Sequence, residues 1–261
     1  MPLDLSLPSL GAWLGGYLFP LFRIGGFFLV APFFGTQLVP RRIRVGLAFL
    51  VTLLVAPLLP PLPPQDPLSL ASSVLVAQQI LIGLALGFSM QVFFQTFVFG
   101  AQLIAMQMSL GFASMVDPAN GVNVTVLAQY FVLMLTLVFL STNGHLVMFD
   151  VMLESFRYIP VGGEWAWAQA SWSLASWASW MFMSGLLLAL PAVTALLIVN
   201  IAFGVMTRAA PQLNVFSLGF PIALLLGMVI VWMGMRGFLP QYDALSVEAF
   251  AMLRQLAGAP A

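Results

Sequence analysis

Residues Ser69–Met108 read SLASSVLVAQQILIGLALGFSMQVFFQTFVFGAQLIAMQM, and this stretch decides the fold class. It contains no charged residue and no proline. A helix needs about 20 mostly apolar residues to cross a hydrocarbon core about 30 Å thick, and this run is about twice that length. It therefore predicts a membrane helix that either extends beyond the bilayer or bends. Gly83 and Gly87 have the GxxxG spacing that lets helix backbones approach closely in lipid, although glycine is also common in membrane helices generally.

The composition of the whole chain supports a membrane protein. Of the 261 residues, 62% are hydrophobic and 6% are charged, whereas soluble domains have about 25% charged residues. Eight acidic side chains balance eight basic ones, so no basic face for nucleic acid is expected. The absence of cysteine excludes disulfides, thiolate metal sites and thiol nucleophiles. We predict an all-α, polytopic membrane protein of long kinked helices and helical hairpins, with no cofactor.

Further apolar and amphipathic segments bring the predicted number of helices to between six and eight. Apolar runs lie at residues 10–34, 45–59, 124–140, 181–206 and 215–238, and weaker amphipathic pieces lie at 145–159 and in the tail to Ala261. Pro191 predicts a kink inside one run. In the tail, one apolar stripe is predicted to contain Leu245, Phe250, Leu253 and Leu256.

Two segments indicate where the chain meets the membrane surface. Arg41, Arg42 and Arg44 follow Pro40 in a basic turn, which the positive-inside rule places in the cytoplasm. The segment from Glu164 to Trp180 contains five tryptophans. Because indoles prefer the headgroup level, this segment is predicted to lie at an interface.

The interruption at residues 106–121 is the most informative feature for function. It combines apolar and methionine side chains with Gly111, the pair Asp117-Pro118 and the pair Asn120-Gly121, which indicate a loop. Non-helical backbone at membrane depth is tolerated only where protein buries it or a cavity surrounds it. An apolar loop in a cavity could close a pore by excluding water. An ordinary connector that dips into the headgroups is the alternative.

Few residues could perform chemistry. His145 is the only histidine, and Asp150 and Glu154 follow it at spacings that spread them around a helix axis, so a structural role is favoured over catalysis. Arg23 lies inside an apolar run, where a charge is costly and indicates a function. Its charge could snorkel to the interface or pair with a carboxylate of a neighbouring subunit. Such a pair could serve assembly or transport, and we favour assembly. The segment 208–221 combines a base, prolines and amides between two apolar runs, which favours a surface that docks a partner helix over a simple hairpin turn.

Four blocks together resemble a known family, the FliR (flagellar) and SctT (injectisome) subunits of the type III protein-export gate. The blocks are PFFG at 32–35 with PRRIRVGLA at 40–48, QMSLGFA at 107–113 through Asp117-Pro118, NGH at 143–145 through Ser155-Phe156, and RAAPQLNVF at 208–216 with GFP at 219–221. They occur in the right order over nearly the whole chain. The Asn-Gly-His and Gly-Phe-Pro-Ile patterns are more similar to the flagellar branch.

The resemblance implies a non-enzymatic subunit that joins FliP-like and FliQ-like subunits in a cone-shaped assembly, through which unfolded flagellar proteins leave the cytoplasm. FlhB-like and FlhA-like export proteins are further expected partners, and the expected location is the bacterial inner membrane at the flagellar basal body. Residues 1–165 would be a FliP-like part and residues 166–261 a FliQ-like part. An injectisome subunit and a self-contained secondary transporter are the alternatives, since interrupted helices and an intramembrane arginine also suit a transporter.

The resemblance also assigns residues to roles. The pore plug loop would contain Met106, Gln107, Met108, Leu110, Gly111, Phe112, Met115, Val116 and Asp117. From the residue patterns described above, subunit assembly is expected to involve Arg23, Arg208, Pro211, Gln212, Asn214, Phe216, Gly219 and Pro221. No catalytic, cofactor-binding or metal-binding residue is expected.

Overall fold

A computed structural model describes residues 7–36, 39–59, 69–111, 125–209 and 219–259. Every regular element in these ranges is helical, which confirms the all-α prediction. In chain order, the α-helices are α1 (Leu7–Val30), α2 (Arg41–Val55), α3 (Leu70–Gln107), α4 (Val126–Ser141), α5 (Gly144–Tyr158), α6 (Trp167–Ala209), α7 (Phe220–Gly234) and α8 (Phe238–Leu256). Short 3₁₀ turns follow α2 at Ala56–Leu58 and α7 at Met235–Gly237.

Three stretches in the described residues are long and apolar enough to cross a membrane: α3, α6 and the segment Phe220–Leu256. The pair α4 and α5 passes the same criterion but bends by 70° between its members, so it could form a fourth, broken span. The chain is therefore a polytopic membrane protein. α3 coincides with the long helix that the sequence predicts.

Two boundaries differ from the sequence expectation. The basic segment is the first turn of α2 rather than a separate turn, because Pro40, with φ −55° and ψ 139°, directs the chain straight into the helix. The tryptophan-rich segment and the following apolar run form one helix, α6, which continues through Pro191. A proline removes only one helical donor, and the Thr194 hydroxyl donates to the carbonyls of Leu190 (2.8 Å) and Pro191 (3.0 Å) in the same turn.

The chain forms two compact units that each combine distant segments. Unit 1 consists of Met1–Val92, Gly144–Trp177 and Glu248–Ala261, and unit 2 consists of Phe93–Asn143 and Ala178–Val247. The predicted division at residue 165 rests on likeness to FliP-like and FliQ-like subunits, and the two compact units do not test that likeness. It stays a prediction.

In unit 1, glycines bring α1 and α3 into backbone contact. A Cβ atom added at Gly26 would lie 2.7 Å from the Ile80 carbonyl oxygen. One added at Gly83 would overlap the Arg23 carbonyl oxygen, and one added at Gly87 would lie 2.7 Å from that of Phe27. The GxxxG pair therefore has the specific packing role that its spacing suggested.

In unit 2, the N-terminal part of its α3 segment packs through aromatic rings. Phe93 contacts Phe97 and Tyr242, with ring centroids 5.5 and 6.0 Å apart. The Tyr242 hydroxyl also makes a 2.8 Å hydrogen bond with the Thr142 hydroxyl. Further along α3, a Cβ atom at Gly100 would lie 2.9 Å from the Gly185 carbonyl oxygen of α6, so these two helices also meet closely.

Candidate functional site

The interruption after α3 begins with a defined helix stop. The Leu110 N–H donates to the Ala105 carbonyl (2.9 Å), and the Ser109 N–H donates to the Met106 carbonyl (3.0 Å). Ser109 has a φ of 64°, in the left-handed region that helices use to end in a Schellman motif, usually with glycine or asparagine. The chain therefore leaves α3 in a fixed direction rather than by fraying.

The predicted loop begins two residues too early. Met106 and Gln107 belong to the last turn of α3, because neither residue type breaks a helix. The break comes at Ser109. Phe112, Met115, Val116 and Asp117, which the sequence also assigned to the plug loop, lie outside the described residues.

Met108 anchors the start of the interruption in the interior of unit 2. Its side chain is 2% exposed and packs in a cluster with Ile104 of α3 and with Ala189, Ala192 and Leu196 of α6. A Cβ atom at Gly227 of α7 would overlap the Met108 side chain, so that glycine makes room for it. We call these five buried residues the Met108 cluster.

The first described residues after position 124 also contact the Met108 cluster. Leu110 and Leu127 both pack against the Met108 cluster. Thr125 caps α4, since its hydroxyl oxygen accepts from the Ala128 N–H at 3.3 Å. The described residues Leu110 and Leu127, which flank the range 112–124 in the sequence, therefore contact the same apolar cluster.

A polar contact that the sequence reasoning missed holds the last turn of α3. The Asn200 Nδ2 of α6 donates to the Gln107 side-chain oxygen (3.2 Å) and lies 3.4 Å from its backbone carbonyl oxygen. An amide in the middle of an apolar helix was the available signal, because polar side chains in membrane helices often bond a neighbouring helix.

Arg23 forms the second polar centre, in unit 1. Its Nε donates to Gln79 Oε1 (2.7 Å), its Nη1 to the Ser155 carbonyl (3.0 Å) and hydroxyl (3.3 Å), and its Nη2 to the Ile159 carbonyl (2.8 Å). The guanidinium carbon lies 4.2 Å from the centre of the Phe156 ring. The side chain has no exposed surface. Three helices, α1, α3 and α5, therefore meet at this one side chain.

The predicted pairing of Arg23 with a neighbouring subunit's carboxylate is wrong for this structure. A fully buried side chain cannot reach another subunit, and the recorded partners are neutral groups of the same chain. The C-terminal end of α5 carries partial negative charge from its free carbonyls, and Arg23 caps that end. This dipole explains how a cation is buried without an acid. Any effect of Arg23 on assembly would act through the fold of unit 1.

Comparison with known proteins identifies the family and the relatives that this chain resembles. Residues 14–249 match the family described as "Bacterial export proteins, family 1". The chain is 38% identical to the flagellar biosynthetic protein FliR of Escherichia coli K12 over 94% of both chains. The chain belongs to this export family. It is also similar to proteins of the same name from Pectobacterium carotovorum (37% identity over 94% of this chain and 93% of the relative) and Bacillus subtilis (29% over 82% and 85%).

The segment 208–221, which is predicted to dock a partner helix, is described by the structure only at its two ends. Arg208 is exposed in the last turn of α6. Gly219 precedes α7, and Pro221 lies in its first turn, where a missing N–H costs nothing. Pro211, Gln212, Asn214 and Phe216 lie outside the described residues. The docking role of the segment stays a prediction.

His145 is the second residue of α5. Its Nδ1 is buried and has no hydrogen-bond partner. Within the described ranges, no group of three or more histidine, cysteine, aspartate or glutamate side chains could hold a metal ion.

Proposed function

We propose that the chain is a non-enzymatic subunit of the bacterial flagellar type III export gate, in the inner membrane at the flagellar basal body. There it forms a protein-conducting pore with FliP-like and FliQ-like subunits and passes unfolded flagellar proteins. The similarity to flagellar FliR proteins along almost the whole chain supports the flagellar machinery over the injectisome.

One observation carries the assembly part of this proposal: α3 exposes large apolar side chains at positions too far apart along the helix for one bilayer to cover them all. Large exposed side chains occur from Leu70 (82% exposed) to Met106 (67% exposed), with Val74, Leu81 and Phe88 between them. At 1.5 Å per residue, Leu70 and Met106 are separated by about 54 Å along the helix axis.

A bilayer cannot accommodate this length in an ordinary orientation. Its hydrocarbon core is about 30 Å thick, so a straight helix would need a tilt of about 56° to keep all of that surface in lipid, whereas membrane helices tilt by about 40° at most. Apolar side chains that lie outside lipid are stabilised when another protein surface buries them. Neighbouring subunits of an export gate would supply that cover.

Helix α2 also exposes large apolar side chains. Only Ala48, Thr52 and Val55 are buried, whereas the bulky side chains of Phe49 and Leu54 are exposed. A helix that packs with its small residues and exposes its large ones is suited to bury the large ones against another subunit. The segment 208–221 would provide a further docking surface, through Arg208, Pro211, Gln212, Asn214, Phe216, Gly219 and Pro221.

The gate is proposed to be the segment that follows α3, from the helix stop at Ser109 onward. The Met108 cluster and the Gln107 to Asn200 contact hold the residues just before it. Leu127 fixes the chain where it returns. An apolar segment at a pore can close the passage by excluding water. Phe112, Met115, Val116 and Asp117 belong to this proposed plug by resemblance.

The decisive experiment is a pull-down of the tagged full chain from its native membrane. We expect FliP-like and FliQ-like subunits in one stable particle, and weaker recovery of FlhB-like and FlhA-like proteins. Co-expression with the first two should yield a stable complex, whereas the chain alone should aggregate. A monomer that is stable alone and transports a substrate when reconstituted in liposomes would refute the proposal and favour a secondary transporter.

A further inference from the structure

An apolar cavity lies within unit 2, beside the turn between α7 and α8. It has a volume of about 370 Å³, which is a common size for a small-molecule site between helices. Its lining residues come from α3, α4, α6, α7, α8 and the turn, and all of them belong to unit 2. None of these side chains is charged. We call it the Phe131–Phe238 cavity.

The cavity has a buried floor and an exposed mouth. The buried lining residues, which form the floor, are Ile104, Phe131, Ala192 and Phe238. The exposed lining residues, which form the mouth, are Pro191, Met233, Gly234 and Gln241. The mouth stays open at Gly234, where an added Cβ atom would have no other atom within 4 Å. An apolar floor of this kind favours an apolar molecule over water.

The side chains of the cavity favour an aromatic ring. Phe131 and Phe238 lie edge to face, with ring centroids 5.9 Å apart at 77°, and aromatic rings prefer to add to one another in this way. Met233 and Met235 also line the cavity, and thioether sulfurs make favourable contacts with aromatic rings. The Tyr130 hydroxyl lies 3.8 Å from the Met235 sulfur and holds that side chain in place.

A single amide gives the mouth a polar group. Gln241 is in the first turn of α8 and is the one polar side chain among the lining residues. An amide both donates and accepts hydrogen bonds. A charged ligand would find no opposite charge in this lining, and its burial would be costly. The cavity therefore suits a neutral molecule with one hydrogen-bonding group.

We propose that the Phe131–Phe238 cavity binds a small neutral aromatic molecule that carries one hydrogen-bonding group, as a phenol does. Its ring packs against the two phenylalanines and the methionines, and its hydroxyl bonds the Gln241 amide. Ile104 and Ala192 belong both to this cavity and to the Met108 cluster, so the bound molecule also stabilises the packing of α3 against α6. The site does not depend on the export proposal, because it requires only the fold of unit 2.

The test uses the particle isolated from the native membrane through the tagged full chain, whichever partners it contains. The probes are 6-fluoro-2-naphthol and 2-fluoronaphthalene, which lacks the hydroxyl, and ¹⁹F NMR measures the Kd of each. We expect both probes to bind and the naphthol to bind about 2- to 10-fold more tightly, the value of one hydrogen bond. Naphthalene-2-sulfonate, which is charged, should not compete with either probe.

Three variants locate the site. Gln241→Leu should remove the advantage of the naphthol and leave the binding of 2-fluoronaphthalene unchanged. Gly234→Phe places a ring at the mouth and should weaken both probes about 10-fold or more. Gly204→Phe is the matched control, since Gly204 is an exposed glycine of α6 with the same free space around its Cβ position and does not line the cavity; both probes should bind this variant as they bind the unaltered particle.

Two results would overturn the proposal. Signals that are the same in the Gly234→Phe, Gly204→Phe and unaltered particles would show that the probes only partition into detergent. No binding to the unaltered particle would show that a neighbouring subunit or a lipid already fills the cavity.

Discussion

Replacement of Arg23 by leucine should destabilise unit 1, because Arg23 links three helices through neutral acceptors. The variant leaves the Ile159 carbonyl and the Gln79 side-chain oxygen without their recorded donors. The Ser155 carbonyl loses less, since it still accepts from the Ile159 N–H at 2.8 Å. The structure therefore predicts two unsatisfied buried acceptors.

Each unsatisfied buried acceptor costs about 1–3 kcal/mol, which gives a range of about 2–6 kcal/mol for two. The variant also removes the cost of burying a cation, which favours the leucine chain. We therefore expect a loss in the lower half of this range, about 2–4 kcal/mol. Arg23→Lys should lie between the two chains, because an ammonium keeps the charge at the end of α5 but cannot reach three acceptors with the geometry of a guanidinium.

The assay is the unfolding in detergent of the complex co-expressed with FliP-like and FliQ-like subunits, in which the unaltered chain and each variant are compared under the same conditions. Arg157→Leu serves as the matched control, since Arg157 is an exposed arginine in the last turn of α5 and its replacement should change stability by less than about 0.5 kcal/mol. A leucine variant at position 23 that is as stable as the unaltered chain, or more stable, would refute the reasoning. The buried cation would then be a net cost that the α5 dipole does not offset.

The remaining predictions concern helix contacts and the gate. Gly83→Val should cost about 3 kcal/mol or more, because its side chain would overlap the α1 backbone, whereas Gly25→Val, with no atom within 4 Å of its Cβ position, should be tolerated; equal unfolding midpoints would contradict this. Gly227→Val should displace the Met108 side chain and lower stability by about 1–3 kcal/mol. Vesicles that contain the assembled gate with this variant should therefore conduct ions. A gate that is destabilised but still blocks ions would show that the packing of Met108 does not control closure. Deletion of Leu110–Val116 should also make the membrane leaky, and an unchanged, tight membrane would refute the plug assignment.

The sequence predicted what depends on composition and length. The course of α3 followed from its apolar residues and from the absence of proline and charge between Ser69 and Met108. Its end was predicted less well, because Met106 and Gln107 have apolar and polar side chains that suit either a helix or a loop. The stop depends on Ser109 in a left-handed conformation, which residue preferences assign to glycine or asparagine.

Contacts made by the backbone were outside the reach of sequence reasoning. Every residue has a carbonyl group, so no pattern indicated that Arg23 would bond the Ile159 carbonyl 136 positions away. A search for a charged partner led instead to a carboxylate in another subunit. For Asn200, the sequence shows a lone amide within an apolar run, which indicates a hydrogen bond to a neighbouring helix. It does not show which residue is the partner.

The partners of Arg23 also bear on how the protein responds to its surroundings. A membrane that maintains a proton gradient exposes its proteins to different acidity on its two sides. Carboxylates lose their negative charge on acidification, but amide, hydroxyl and carbonyl oxygens do not. A clamp between α1, α3 and α5 that uses only these oxygens keeps its acceptors on either side of the membrane, and its burial limits screening by salt.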